Sequence, residues 1–337
     1  MAAGTFLQNA WFLLVGVLLA GYSVLDGFDL GVGVLFPFLA KTDDERRTLA
    51  NAIGPVWDGN EVWLLAGGGA LFAAFPPAYA TVFSGFYLAL MLVLLALILR
   101  AVSLEFRAHD PARRKLWEAA FVGGSFVPAL LFGVALGNVV GGVPLDARTE
   151  FAGTFFTLLR PLPLAFGLLG LVAFLLHGAA YAALKTEGPL RERSRKAARA
   201  AAAAFAVAFL LSFAAVWATL PAAIKSLPAW IFADLVWVCL ALSIAAVNKG
   251  KDGRAFAFSS AVLLGLWGVV GAIHYPNLVR ATDPALSLTL ANSSSSPLAL
   301  KVMLIIALIG MPLVVGYTVF AYRVFKGKVK LDSPGGY

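Results

Sequence analysis

The sequence contains little charge, a single cysteine and three histidines. Only 13% of its 337 residues are charged, whereas about 25% is usual for a soluble domain. Cys239 cannot form an internal disulfide or a cysteine-based metal site, and within an apolar run it reads as a small buried side chain. Gly-rich phosphate loops, zinc-ligand spacings and Ser/His/Asp sets are missing too. These absences exclude the common classes of soluble enzyme.

Hydrophobic residues make up 61% of the chain, which is more than a soluble core could hide. A membrane-spanning helix needs about 20 apolar residues. The apolar runs are continuous rather than alternating, which favours helices over barrel strands. We therefore predict an all-α integral membrane protein. Its nine candidate spans are residues 7–38, 51–75, 78–103, 116–140, 161–184, 198–221, 228–248, 254–274 and 298–324.

Lysine and arginine are concentrated in alternate loops, after predicted helices 1, 3, 5 and 7 and in the tail. Positive residues favour the cytoplasmic side. The pattern predicts an N-terminus outside and a C-terminus in the cytoplasm, and it explains the net charge of +8 without a nucleic-acid partner. The basic positions are Lys41, Arg46 and Arg47; Arg107, Arg113, Arg114 and Lys115; Lys185, Arg191, Arg193, Arg195, Lys196 and Arg199; Lys249, Lys251 and Arg254; and Arg323, Lys326, Lys328 and Lys330.

The N-terminal region does not have the composition of a cleavable signal peptide. Residues 1–40 contain neither lysine nor arginine, so the positive n-region of such a peptide is missing. We expect the first apolar stretch to remain in the protein as a membrane helix. No large soluble segment follows, so residues 1–337 are expected to form a single polytopic membrane domain.

Charged side chains interrupt several predicted helices. A charge at the bilayer centre costs at least about 2.5–3.5 kcal/mol on insertion scales. Asp26 and Asp29 are three residues apart, as are Asp58 and Glu61, and this spacing places each pair on one helix face. The predicted topology puts these four acids and Arg100 at a similar depth on the cytoplasmic side. Other polar positions within or beside the predicted helices are Glu105, Arg107, His177, Asp234 and Lys301.

Two interpretations of the four acids and Arg100 remain open, and they can coexist. In the first, Arg100 neutralises one or two aspartates and the ion pairs fix helix packing. In the second, the acids form a proton path from the cytoplasm, because carboxylate and histidine chains are the usual proton relays of membrane proteins. His177 is a weaker member of such a path. The excess of acids over nearby bases favours the second interpretation, since it suits protonated carboxyls or bound water.

Small and aromatic residues accompany these acids. Gly27 and Gly31 have the spacing of a GxxxG motif, which indicates close helix packing rather than a ligand site. Trp57 and Trp63 flank the second acidic pair. Membrane-interface anchoring or core packing is their simplest interpretation, and a role beside a cofactor is the alternative.

The histidines do not form a pair that could hold a haem. Haem iron is usually bound by His, Met or Cys side chains. His109 lies in a predicted loop and His274 near the end of a helix, so only His177 is well inside the membrane. We expect this chain alone to bind no haem, other cofactor or metal.

Several segments resemble subunit II of the cytochrome bd-type quinol oxidases. The most characteristic are LDGFDLGVG at 25–33, ILRAVSLEFR at 98–107, and residues 54–87, which begin GPVWDGNEVW and continue LLAGGGALFAAFPPAYATVFSGFY. GSFVPALLFGVALGNVVGGVP at 124–144 and SLTLANSSSSPLALKVM at 287–303 are also similar. The resemblance runs in order along essentially the whole chain. The cyanide-insensitive branch of the same family is a close relative and remains an alternative.

The resemblance implies a heterodimeric oxidase of a bacterial or archaeal cytoplasmic membrane. Subunit II would pair with a subunit I that holds haem b, haem d and the quinol site. The complex would oxidise quinol, reduce oxygen to water and take protons from the cytoplasm. The implied fold is two four-helix bundles plus one peripheral helix. Further possible partners are membrane lipid, quinone and a small single-helix subunit.

The resemblance also implies roles for individual residues. The aspartate of the WDGN motif, here Asp58, would lie on a proton path towards the oxygen-reducing haem. The tryptophan that ends NEVW, here Trp63, would belong to a hydrophobic oxygen route at the subunit interface. Asp29 and Arg100 match the family pattern too.

Two other classes of function remain as alternatives. Intramembrane acids and glycine-rich helices would also suit a proton-coupled secondary transporter, although the sequence lacks an internal repeat. A purely structural subunit is the third reading, in which the acids only stabilise packing.

Overall fold

The computed structural model describes residues 4–329, which are mostly helical. Lys330, the last basic position of the predicted tail, lies outside them. Short strands β1 (Asn277–Val279) and β2 (Leu288–Thr289) pair antiparallel near the end of the chain. The helices are α1 (Phe6–Leu39), α2 (Asp43–Ile53), α3 (Trp57–Ala74), α4 (Pro76–Gly85), α5 (Tyr87–His109), α6 (Arg114–Gly141), α7 (Pro161–Lys185), α8 (Gly188–Thr219), α9 (Leu227–Asn248), α10 (Asp252–His274), α11 (Leu290–Ser293) and α12 (Pro297–Val324).

The predicted helical membrane architecture is confirmed, with one short strand pair outside the long helices. Within residues 4–329, eight helices are long and apolar enough to cross a membrane. The predicted second span, residues 51–75, is instead made of the end of α2, a turn at 54–56, and α3. α3 is 18 residues long, and Asp58, Asn60 and Glu61 make it less apolar than those eight helices. The total of nine crossings stays a prediction, as does the single membrane domain.

The long helices pack as two groups of four. α1, α3, α5 and α6 form the first, and α7, α8, α9 and α10 form the second. α1 and α6 both pack on α7, which joins the groups. α12 lies at the edge, because Leu300 is the only buried residue among its 28. This arrangement matches the expected two bundles and peripheral helix.

Glycine allows α1 and α7 to approach backbone to backbone. A Cβ on Gly31 would lie 1.9 Å from the Phe174 carbonyl oxygen, and one on Gly178 would lie 2.5 Å from the Gly31 carbonyl carbon. A Cβ on Gly27 would meet the ring of Phe174 at 2.7 Å. The helix packing predicted from the GxxxG spacing is therefore seen in the structure, with α7 as the partner of α1.

Ion pairs link the basic loops at one end of the bundles. Arg107 of α5 pairs with Asp43 of α2 over 2.6 Å and with Glu118 of α6 over 3.1 Å. Arg193 of α8 pairs with Glu45 of α2. Burial alone would raise the pKa of Glu45, but hydrogen bonds from the Lys41 N–H and from Arg193 lower it. α2 is thus held across the end of both bundles.

The other loops meet at the opposite end. The Trp11 indole N–H donates to the Leu300 carbonyl over 2.9 Å, and the Ser295 hydroxyl donates to the Ala73 carbonyl over 2.6 Å. The Val143 N–H donates to the Arg280 carbonyl over 2.9 Å, beside the β1–β2 pair. The described loops therefore divide between two ends, and the basic residues cluster at one of them.

We predict from this clustering that the basic end faces the cytoplasm. A reporter fused to the C-terminus should be active in its cytoplasmic form, and a reporter in the loop around Arg148 should be active in its exported form. The measurement is paired reporter activity in intact cells. A C-terminal reporter that works only outside the cytoplasm would show that the orientation is wrong.

Candidate functional site

Arg100 of α5 is the centre of a buried polar cluster, and its side chain has no solvent exposure. Its Nη2–H donates to Asp26 Oδ1 over 2.7 Å, and its Nη1–H donates to Asp26 Oδ2 over 3.2 Å. Nη1–H also donates to Glu61 Oε1 over 2.8 Å. Asp29 Oδ2 lies 4.0 Å from Nη2. One guanidinium therefore joins α1, α3 and α5, and its two-point contact with Asp26 is a strong geometry for an ion pair.

The cluster holds more acid than base. Asp26 and Asp29 are fully buried, and the Glu61 side chain is 23% exposed. Three carboxylates share one guanidinium, so repulsion between like charges favours proton binding somewhere in the group. A buried charge without compensation is expensive. The arrangement can therefore both stabilise packing and hold an exchangeable proton.

Asn60 connects Asp29 to the peripheral helix. Its Nδ2–H₂ donates to Asp29 Oδ2 over 2.8 Å and to the Leu25 carbonyl over 3.0 Å. Its Oδ1 accepts a hydrogen bond from the Tyr322 hydroxyl of α12 over 3.0 Å. The other oxygen of Asp29, Oδ1, has no hydrogen-bond partner among residues 4–329. Asn60 thus provides the fixed hydrogen bond of this carboxyl.

Asp58 does not join the other acids around Arg100. It is exposed on α3, one turn before Glu61, and forms no ion pair within the described part of the chain. The expectation that all four acids meet is therefore only partly met, because Asp26, Asp29 and Glu61 contact or approach the guanidinium and Asp58 does not. Residues three apart differ by about 60° around an α-helix, so Glu61 can lie at the edge of the packed face and Asp58 beyond that edge.

The two tryptophans occupy different surroundings, and both are partly buried. Trp63 lies against α1, where a Cβ on Gly21 would be 2.5 Å from its ring. Trp57 begins α3 and packs against the apolar cluster that contains Ile53 and Phe28. These contacts account for the packing of both rings, and part of each ring stays exposed.

His177 of α7 is fully buried and fixed by neutral partners. Its Nε2 lies 2.9 Å from the Val24 carbonyl and its Nδ1 lies 2.7 Å from the Ser259 hydroxyl. The carbonyl can only accept, so Nε2–H donates to it. The ring stacks on Phe256 with centroids 4.6 Å apart. His177 therefore links α1, α7 and α10, and no contact joins it to the Arg100 cluster.

The described residues offer no cluster of metal ligands and no pair of histidines for a haem. No group of three or more His, Cys, Asp or Glu residues in the range 4–329 could hold a metal. Both ring nitrogens of His177 are engaged, and His274 Nε2 lies 3.0 Å from the Leu278 carbonyl. His109 is exposed at the end of α5. The three histidines lie apart and offer no axial pair.

Three members of the site were missed by sequence reasoning. Asn60 lies inside a motif already singled out, but amides carry no charge and drew no attention. Tyr322 lies 262 residues away from Asn60, so no local pattern connects them. Tyr22 is buried one turn before Asp26, and its hydroxyl has no hydrogen-bond partner among the described residues. A search for polar atoms inside apolar helices would have found Asn60 and Tyr22. Asp234 and Lys301 were noted from the sequence as charged residues in membrane helices, and both are exposed.

The sequence matches a known family and curated relatives along nearly its whole length. The family model described as "Cytochrome bd terminal oxidase subunit II" matches residues 7–325. The chain is 37% identical to the cytochrome bd-I ubiquinol oxidase subunit 2 of Escherichia coli (strain K12), over 97% of this chain and 96% of that protein. It is 36% identical to the cytochrome bd ubiquinol oxidase subunit 2 of Bacillus subtilis (strain 168), over 98% of this chain and 99% of that protein.

A solved structure shares the fold. A chain from the bd oxidase of Geobacillus thermodenitrificans superposes with a TM-score of 0.79, covering 95% of this chain and 98% of that one. The two sequences are 17% identical in that superposition, so this likeness concerns the arrangement of helices.

Proposed function

The chain belongs to the cytochrome bd terminal oxidase subunit II family, and we propose that its intramembrane acids form a proton path that serves this oxidase. The chain is a multi-pass subunit of a quinol:oxygen oxidoreductase complex, which implies a subunit I partner. The relatives named above are bacterial oxidase subunits, so the bacterial cytoplasmic membrane is the expected location and the transporter and archaeal alternatives have no support.

The complete oxidase needs groups that this chain does not supply. We place haem b, haem d and the quinol site in subunit I, because the described histidines and acids here offer no ligand set. Quinol is then a substrate of the complex rather than a ligand of this chain. Membrane lipid and quinone surround the apolar faces, and the proposal does not require a further single-helix subunit.

The observation that carries the proposal is the series of carboxylates that runs from the open face of α3 into the first bundle. Glu61 binds Arg100 yet keeps 23% of its side chain exposed, while Asp58 stands one turn away on the open face of α3. Asp26 and Asp29 lie behind Arg100 with no exposure. Acids therefore extend from a surface that a partner can cover into the bundle, as a proton relay requires.

In this arrangement each residue has a distinct task. Asp58 and Glu61 pass protons between the cluster and the surface of α3. Asp26 and Asp29 store charge that Arg100 balances, so a proton can move among the carboxyls at little electrostatic cost. Trp63, with Trp57 at the start of the same helix, gives that surface an apolar border. We propose that Trp63 contributes to a hydrophobic oxygen route at the subunit interface.

The competing interpretation is that the acids only fix helix packing. It explains the two-point contact between Arg100 and Asp26. It leaves Asp58 unexplained, because Asp58 lies outside the ion pairs around Arg100 and contributes nothing to the packing there.

We predict that Asp58→Asn slows oxygen reduction by the assembled complex at least about tenfold, as expected when a proton-transferring group is lost. Asparagine keeps the size of the side chain but cannot exchange a proton. The haem content should change little, because Asp58 lies outside the buried cluster. The measurement is oxygen consumption per haem at several pH values.

Asp234→Asn is the matched control, since Asp234 is also an exposed aspartate in a membrane helix, but in α9 of the second bundle. Its turnover per haem should equal that of the parent. If Asp58→Asn also turns over like the parent at every pH, Asp58 is not an obligatory relay. Loss of assembly with normal turnover in the remaining complex would favour the packing interpretation.

A further inference from the structure

The peripheral helix α12 contacts the first bundle near both of its ends, through Leu300 at its start and through Tyr322 in its last turn. Nearly all of its surface faces outward, with exposed apolar side chains such as Leu313 and Phe320. Tyr322, in its last turn, instead turns inward and lies edge-on to Phe28 of α1 at 6.5 Å between ring centroids. Its hydroxyl then donates to Asn60 of α3 over 3.0 Å. A lipid-facing helix thus places one polar group beside the acid cluster.

The hydrogen bonds beyond Tyr322 form a directed chain. The Tyr322 hydroxyl can donate only one proton, and Asn60 Oδ1 accepts it. The amide group must then direct Nδ2–H₂ towards Asp29 Oδ2, 2.8 Å away, and towards the Leu25 carbonyl. Asp29 Oδ1 has no partner in the described structure, and Arg100 is beyond hydrogen-bond distance from Asp29. The orientation of the Asn60 amide therefore decides whether a hydrogen-bond donor or an acceptor faces the Asp29 carboxyl.

We infer that Tyr322 is a positioning residue for Asp29: it fixes the amide of Asn60 so that a donor, rather than an acceptor, faces the carboxyl. Without the Tyr322 hydroxyl, the Asn60 carbonyl loses its donor, and only the hydrogen bonds from Nδ2–H₂ to Asp29 and to the Leu25 carbonyl still orient the amide. An amide oxygen turned towards Asp29 would repel its ionised form. The relevance of this control to turnover rests on the proposed proton path, but the contact itself does not.

Asp29 faces polar and charged groups from several helices, so the effect of Asn60 must be separated from theirs. Asp26 of α1 and Glu61 of α3 are like charges, and Arg100 of α5 is the nearest positive charge. Phenol groups approach from α7 and α12. The two phenols are those of Tyr181 and Tyr322. Tyr181 donates to the Ala52 carbonyl over 2.7 Å and does not contact Asn60, which makes it a useful comparison.

The test is Tyr322→Phe in the complete oxidase complex, with oxygen consumption per haem measured across pH. A hydrogen bond to a charged group is worth about one pH unit, so the midpoint of the profile should move upward by about one unit. Tyr317→Phe on the same helix is the control, because Tyr317 is 68% exposed. Its profile should match that of the parent. Tyr181→Phe removes a buried hydroxyl that is not part of the hydrogen bonds from Tyr322 to Asp29, so it should leave the midpoint of the pH profile unchanged.

A double variant separates positioning from mere anchoring of α12. If Tyr322 acts through Asn60, Asn60→Leu alone should produce a similar shift, and adding Tyr322→Phe should produce no further one. Additive shifts would mean that Tyr322 acts independently of Asn60, and the inference would be wrong.

A spectroscopic readout keeps the inference testable without turnover. The carboxyl band of Asp29 can be assigned in pH-dependent infrared difference spectra as the band that Asp29→Asn removes. Tyr322→Phe should change the frequency and pH midpoint of that band. An unchanged band rejects the inference even if Asp58→Asn slows turnover. A changed band supports the inference even if Asp29→Asn turns over normally. That combination would reject a proton path through Asp29 and leave the positioning role of Tyr322 intact.

Discussion

Arg100→Met is expected to remove most of the assembled complex from the membrane. Asp26, Asp29 and Glu61 would then share a buried site without their guanidinium. Removing one partner of a buried ion pair typically costs about 3–5 kcal/mol, because the other charge stays buried without compensation. At about 1.4 kcal/mol per factor of ten, that cost lowers the equilibrium constant for folding by at least about a hundredfold. The measurement is the yield of intact complex by gel filtration after purification through a tag on this chain.

The control is Arg113→Met, which removes an exposed arginine that forms no ion pair among the described residues. Its yield should equal that of the parent. A compensating variant that combines Arg100→Met with Asp26→Asn and Glu61→Gln should recover part of the lost yield, since it removes two of the stranded charges. Normal assembly of Arg100→Met alone would show that charge balance does not organise this bundle.

Gly31→Ala is expected to weaken the joint between the two bundles. The new methyl group would lie 1.9 Å from the Phe174 carbonyl oxygen, and this obstacle is backbone rather than a side chain that can rotate away. α1 and α7 would have to separate, which typically costs about 1–3 kcal/mol and occasionally more. The separation would also stretch the contact between His177 and Val24. The measurement is the fraction of intact complex that survives a series of heating steps.

Gly16→Ala is the matched control, because Gly16 lies in the same helix and nothing is within 4 Å of its added Cβ. Alanine favours helix over glycine by about 0.5–1 kcal/mol, so this variant should be as heat-stable as the parent or slightly more so. Equal heat stability of Gly31→Ala and the parent would contradict the close backbone contact.

The acid pairs illustrate how far sequence reasoning reached. Spacing predicted that Asp26 and Asp29 share one side of their helix, as do Asp58 and Glu61, and that both pairs lie near Arg100. Three of these acids do surround the guanidinium. Asp58 lies on the open face of α3, because the rotation of a helix about its own axis depends on what packs against it. Residue spacing fixes relative angles and leaves that rotation undetermined.

His177 illustrates a second limit. Its position deep in an apolar helix made it a candidate relay, since a buried histidine without partners would be costly. The structure supplies both partners from other helices, Val24 from α1 and Ser259 from α10. Such partners lie 153 and 82 residues away, so no window of the sequence contains them.

The sequence by itself determined that lipid surrounds this protein, where most of its long helices run and which loops carry positive charge. These properties depend on composition and on local order, because bilayer thickness and backbone hydrogen bonding act on each segment separately. Only the tertiary structure decided that Arg100 forms two hydrogen bonds with Asp26, that Asp58 lies outside the cluster, and that Tyr322 donates to Asn60. Those contacts depend on how helices rotate and pack against one another, and packing is set by side chains distant in sequence.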